Sequence, residues 1–293
     1  MIEITAEENF KRLDVFLAEE LKISRSRASD LIANENVKGN RKLKPSMKVI
    51  AGEKFFVQLP VSPNIEELEP ENINFDVIYE DEFLLVINKP SGLVVHPAPG
   101  NWEHTLVNGL VYRYPEMKFM SQRLRPGIVH RLDAGTSGLM IVARNDEVLL
   151  RLQKMFQERT INKQYIALIH GRPNKSEGII SAPLDRDPDN SLRRCAVEGG
   201  KPALTGYKVL WTKKNISMVV CKLFTGRTHQ IRAHFSGLNC PLVGDVLYGA
   251  NDKDLTRVFL HSWKIDFVHP VTKEKMKFTQ YIGQDFKDFI KRS

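Results

Sequence analysis

Four short segments of this 293-residue chain carry the residue types that could do chemistry. The first, RPGIVHRLDAGTSGLMIVARN, spans 125–145 and sets Asp133 behind Arg125, His130 and Arg131 and ahead of Thr136, Ser137 and Gly138. One carboxylate thus stands among cations, before an apolar run. The second, INKPSGLVVHP at 87–97, is turn-rich and carries Lys89; the third, KQYIALIHG at 163–171, carries Tyr165. The fourth, LFTGRTHQIRAHF at 223–235, carries Arg227, His229, Arg232 and His234 and is followed by PLVGDVLYG.

The spacings exclude several chemistries. There is no GxxxxGK[ST] phosphate loop, no GxGxxG dinucleotide turn and no GxSxG elbow that would make Ser137 a hydrolase nucleophile. The HxE and PCxxC of a zinc deaminase are missing. His229 and His234 are five apart with no acidic residue between them in HExxH fashion, so no metal site is read there. Cys195, Cys221 and Cys240 stand far apart without a CxxC, which fits three reduced thiols in a cytoplasmic protein.

The elements that must position these segments fall into two parts. In 11–60, Leu13, Phe16, Leu17 and Leu21 recur at helical spacing, and KISRSRASDLIANENV reads as a second helix capped by Ser24, with Ala28, Leu31 and Ile32 on its apolar side. Gly39-Asn40 signals a tight turn, and KVIAGEKFFVQLP has strand character with Gly52 as a turn or bulge. From Lys11 to Lys54 there are eleven Lys/Arg against six acids. Arg25 and Arg27 open the second helix, where positive charge opposes the dipole and is better explained by phosphate contact; Lys38, Arg41 and Lys42 surround the turn. Residues 62–74, rich in Pro, Glu and Asn, read as a linker. From 75 onward, short strands predominate: two runs in FDVIYEDEFLLVINKP, then KQYIALIHG, KVLWT, SMVVCKLF and KIDFVHP. NDEVLLRLQKMFQER reads as a capped amphipathic helix. This predicts an α+β domain on a large, mixed, mostly antiparallel sheet. The net charge of +8 suits a polyanionic partner, no apolar run is long enough to cross a membrane, and MIEITAEENFKRLD lacks a signal-peptide core.

Taken together, the four segments resemble the RluA family of pseudouridine synthases. HRLDAGTSG matches the family pattern HRLDxxTSG, and the other three segments follow in family order, so the resemblance spans roughly 75–293. Ala134 and Gly135 fill the two variable positions, where close relatives often carry a Lys–Asp pair. Residues 1–61 resemble the S4 RNA-binding domain, an arrangement found in the RluD-like branch that modifies large-subunit ribosomal RNA.

The resemblance implies isomerisation of uridine, which changes no redox state and needs no cofactor or metal. A carboxylate beside the scissile bond acts as nucleophile and maps to Asp133; attack on C1′ and a glycal route both stay open. A hydrolytic glycosidase would pair two carboxylates. The family's salt-bridging Arg maps to Arg232, with Arg227 as rival. Its base-stacking aromatic maps to Tyr165, whose hydroxyl is a candidate for proton transfer at the sugar, and the Arg inserted where the base flips out maps to Arg131. Lys89 is expected to place the phosphate backbone and His130 to shape the loop in the RNA-binding region. A monomer acting on ribosomal RNA, with no membrane and no small-molecule partner, is the expectation. A non-catalytic RNA-binding factor and a base-releasing glycosylase are the rival readings.

Overall fold

The computed structural model describes residues 2–23, 25–58, 68–98, 100–190 and 192–292; the side chains of Ser26, Arg27 and Asp30 are outside the description, as is the expected Ser24 cap. The chain divides into two compact units, 1–64 and 65–293.

In the first unit, strand β1 (Ile2–Thr5) precedes helices α1 (Leu13–Glu20) and α2 (Arg25–Ala33), then β2 (Val37–Lys38) and β3 (Lys54–Val57). β3 is central, antiparallel to both β1 and β2. Leu13, Phe16 and Leu17 of α1 meet Ala28, Leu31 and Ile32 of α2 and Phe55 and Val57 of β3 in one core. The helical spacings are as read. Three local readings differ. β1 is four residues with only Ile4 buried, too short for its period to show. Gly39-Asn40 makes no hairpin turn, because the chain runs on to residue 53 before β3 returns beside β2. Strand character at 48–53 gives way to a turn at Gly52, whose φ of +89° suits a residue without Cβ.

The second unit is built on nine strands: β4 (Asp76–Glu80), β5 (Leu84–Lys89), β6 (Ser137–Ala143), β7 (Asn162–His170), β8 (Glu177–Ser181), β11 (Leu204–Lys213), β12 (Ile216–Leu223), β13 (Leu260–Val268) and β14 (Lys275–Thr279). Their order is β4-β5-β6-β13-β7-β12-β11-β8, with β14 also on β13; β9 (Leu184–Arg186) and β10 (Arg194–Ala196) form a separate hairpin. Every pairing is antiparallel except β6 with β13. The expected mixed, mostly antiparallel sheet is therefore present. Helices α3 (Leu106–Arg113), α4 (Asp146–Gln157), α5 (Gln230–Gly237) and α6 (Gln284–Arg292) complete the unit. α4 is the expected amphipathic helix, and the Asn145 side chain accepts from the Val148 N–H at 2.9 Å. Among the described residues no helix is long and apolar enough to cross a membrane.

The single parallel pair brings the key segments together. Gly138 lies opposite Ser262 on β13, and Ser262 lies opposite Tyr165 on β7. Gly138 has φ +109°, and a Cβ there would sit 2.3 Å from the Ser262 carbonyl oxygen. Glycine is what allows the turn holding Asp133 to close onto the strand beside Tyr165.

The expected linker 62–74 is corrected in its second half. Leu68 is buried in the core of the second unit. Asn108 on α3 donates to the Glu69 carbonyl at 2.8 Å, and the Glu71 N–H donates to the Asn108 carbonyl at 3.1 Å. Composition marked the segment as polar, but these backbone bonds tie it to α3. Residues 62–67 lie outside the described residues.

Candidate active site

The turn carrying Asp133 is closed by the Thr136 N–H donating to the Asp133 carbonyl at 3.0 Å. The 90–93 turn grips it from one side. Gly92 N–H donates to Ala134 O at 2.8 Å and Ser91 Oγ to Gly135 O at 2.9 Å. Lys89 Nζ donates to Ala134 O at 3.1 Å and to the carbonyls of Pro90 and Leu93 at 2.7 Å each. The expectation that Lys89 places RNA phosphate is thus wrong. Its side chain is fully buried, all three ammonium hydrogens are taken, and burial pushes its pKa down to about 7 against the pull of Asp133. On the far side of the turn, Arg257 Nη2 donates to Ser137 Oγ at 2.9 Å, and Ser137 Oγ pairs with His261 Nδ1 at 2.8 Å.

α5 supplies the cation. Arg232 Nη1 donates to Asp133 Oδ2 at 3.3 Å, so the expected pairing forms and Arg227 is not the partner. Arg227 instead donates Nε to the Pro202 carbonyl at 3.1 Å. The stronger grip on Arg232 comes from a residue that sequence reasoning missed: Asp245 takes Nε at 2.7 Å and Nη2 at 2.8 Å, a bidentate pair. Burial disfavours the Arg232 charge, but Asp245, with Asp133, more than offsets it and holds the guanidinium pKa above its ordinary value. Tyr248 lies under the guanidinium at 4.9 Å. The signal for Asp245 was the carboxylate in PLVGDVLYG, with nothing nearby in sequence to name its partner. His229, in a left-handed conformation at the start of α5, brings Nε2 to 3.9 Å from Asp133 Oδ1 and pairs Nδ1 with Tyr248 Oη at 3.1 Å. His234 points elsewhere, to Thr205 and the Ala182 carbonyl.

Asp133 faces a cleft of about 730 Å³. Six Lys/Arg residues line it, Arg131, Arg159, Lys163, Lys222, Arg227 and Arg232, and Asp133 is the only carboxylate among the lining residues. Tyr165 is buried on its wall; burial, with the field of Asp133, pushes the phenol above its ordinary value. A phenol held protonated in this way is a hydrogen-bond donor and a stacking face. Arg131 is exposed at the cleft and has no ion pair or hydrogen bond among the described residues. His130 accepts the Ile141 N–H through Nε2 at 2.9 Å and stacks on Phe156 at 4.6 Å. Burial, helped by the Lys163 charge, pushes its pKa down to about 3, so it is neutral and shapes the loop. Among the described residues no cluster of three or more His, Cys, Asp or Glu could hold a metal.

In the first unit the expected basic face is only partly free. Arg25 gives Nε to the buried Asp14 at 3.0 Å, beside Arg12 and Ser29, so its place at the start of α2 is explained by this ion pair. Arg41 pairs with Glu53 at 2.7 Å and donates to the Lys48 carbonyl. Lys38 and Lys42 are exposed without a partner among the described residues. The side chain of Arg27 lies outside them.

Comparison with known proteins agrees with this architecture. Residues 83–237 match the family of RNA pseudouridylate synthases. The chain is 37% identical to ribosomal large subunit pseudouridine synthase D of Zymomonas mobilis, over 96% of this chain and 93% of that one. It is 43% identical to the protein of the same name from Neisseria meningitidis serogroup A, over 94% of this chain and 76% of that one. Human RNA pseudouridylate synthase domain containing 1 superposes with a TM-score of 0.59 at 29% identity, covering 72% of this chain and 85% of that one. The chain belongs to the RNA pseudouridine synthase family. It is an RNA isomerase of the RluA/RluD-like kind.

Proposed function

We propose that the protein converts specific uridines of large-subunit ribosomal RNA to pseudouridine, with Asp133 as nucleophile. The substrate class is supported by the names of its relatives and by the excess of cations in the cleft. One observation carries the role of Asp133: it is the lone carboxylate lining a cationic cleft, with Oδ2 held by Arg232.

In this reading the target uridine leaves its stack, at a cost of a few kcal/mol. Arg131 fills the gap, its planar guanidinium free to stack and to meet phosphate. Tyr165 stacks on the extruded uracil. Arg232, itself braced by Asp245, holds the Asp133 carboxylate and orients it toward C1′. The N1–C1′ bond breaks, the uracil turns, C5 bonds to C1′ and gives up its proton, and N1 takes one up. The first unit, read as S4-like, adds RNA affinity through Lys38 and Lys42.

The test is tritium release from ribosomal RNA labelled at uridine C5, comparing the wild type with Asp133→Asn. The C5 hydrogen leaves only if a new bond forms there. Release by the wild type and none by the variant, with RNA affinity retained, is the expected result. No release by the wild type on naked RNA or immature subunits would favour a binding factor, and free uracil with an abasic site would identify a glycosylase.

A further inference from the structure

We propose that Lys163 is a catalytic residue that stabilises the uracil anion formed when the glycosidic bond breaks. The inference rests on reading the cleft as the uridine site. Lys163 and Tyr165 are two apart on β7, so they project to the same face of the sheet, and both line the cleft. A uracil stacked on Tyr165 therefore lies within reach of the Lys163 ammonium. The Nζ sits 4.9 Å from the Phe156 ring centroid and 3.6 Å from where a Cβ at Gly226 would be, so a side chain there would cover it.

Charge accounting leads to the same residue. When N1–C1′ breaks heterolytically, both electrons leave with N1, and the negative charge spreads over N1, O2 and O4. It is discharged when C5 bonds to C1′; C5 then gives up its proton to solvent and N1 takes one up, so the net change is an isomerisation. Arg232 is already matched by Asp245 and Asp133. His130, from the loop before β6, is neutral and has its Nε2 occupied. Of the other cations facing the cleft near Lys163, Arg227 before α5 bonds a carbonyl and Lys222 on β12 is exposed over Phe224; Arg159 follows α4 and is exposed. Lys163 is half-buried against Phe156 and has no carboxylate partner among the described residues. A preorganised charge in a dry site acts most strongly on charge that appears only as the reaction proceeds.

Burial pushes the Lys163 pKa down to about 8. The charged form, which the reaction needs, is therefore present at neutral pH and lost as pH rises through that value.

The experiment measures single-turnover loss of the starting nucleoside through breakage of its N1–C1′ bond, a step common to both RNAs whatever C5 carries, at saturating enzyme, for the wild type, Lys163→Met and Lys163→Arg. Two RNAs are used, one with uridine and one with 5-fluorouridine, whose more acidic base is the better leaving group. Lys163→Met should slow conversion of the uridine RNA about 100-fold with RNA affinity little changed. The deficit should shrink markedly on the fluorinated RNA. Lys163→Arg should recover most of the rate and remove the decline above about pH 8, because a guanidinium does not titrate there. An equal deficit on both RNAs would mean a structural role, and lost affinity with an intact saturating rate would mean a phosphate contact; either overturns the proposal. Failure of the wild type to convert uridine at all would instead overturn the reading of the cleft.

Discussion

Lys89 Nζ lies 3.1 Å from the carbonyl oxygen of Ala134, the residue that follows Asp133. A lysine that reads in sequence as a phosphate contact is an internal clamp on the turn that presents the carboxylate. Its two other hydrogen bonds fix the 90–93 turn, so one ammonium ties two loops together. Lys89→Met should leave the Pro90 and Leu93 carbonyls without this donor, loosen the hold on Ala134 to the Gly92 N–H alone, and let the turn drift. The single-turnover rate should fall about 100-fold, the scale of loss for a misplacement near 1 Å. RNA affinity should change little, and a filter-binding titration beside the rate measurement separates this from a phosphate role.

Asp245 should matter as much as the residue it braces. Asp245→Asn leaves the buried Arg232 short of half its counter-charge, and breaking such a pair costs about 3–5 kcal/mol. Denaturant unfolding should show the loss, and the rate should drop because Arg232 is no longer aimed. Arg232→Lys should not restore activity, since an ammonium cannot serve both carboxylates with the planar geometry seen at 2.7, 2.8 and 3.3 Å.

His130 makes acid stability a test of the loop. Its folded pKa of about 3 lies below the unfolded value near 6.5, so between them the unfolded chain binds more protons. Its contribution is fully present above about 6.5 and lost as pH falls toward 3. The stability advantage of the wild type over His130→Gln should therefore shrink over that window, as read by denaturant melts at several pH values. A constant difference would show that His130 is not neutral in the fold.

RNA binding should be steeply salt-dependent. With Arg131, Arg159 and Lys222 exposed at the cleft and Lys38 and Lys42 exposed on the first unit, affinity should fall roughly 500-fold between 50 and 200 mM salt through counterion release. Removing residues 1–64 should weaken affinity and flatten that slope while sparing the single-turnover rate at saturating enzyme. An equal loss of rate would show that the first unit takes part in the chemical step.

Much of the fold was legible because its signals are local. The spacing of Leu13, Phe16 and Leu17, the Asn145 cap and the apolar runs of β5, β7 and β12 each report a short-range preference. α5 was not legible, since LFTGRTHQIRAHF mixes charge and apolar residues without a clear face and its helix starts only after the left-handed turn at His229. The basic face of the first unit was over-read for a similar reason. Charge is visible in a sequence, but whether Arg25 meets phosphate or the buried Asp14 depends on how α1 and α2 pack.

By itself, the sequence determined the four segments, their order and the single carboxylate among cations, and with them the reaction class. Only the tertiary structure decided which charges are free to act on RNA and which are consumed inside the protein. Asp133 and Arg232 are 99 residues apart, and Lys89 and Ala134 are 45. Such pairings form when β6 closes in parallel on β13 and when the 90–93 turn lands on the Asp133 turn. A lysine facing solvent and one facing three carbonyls are the same letter, and only burial distinguishes them.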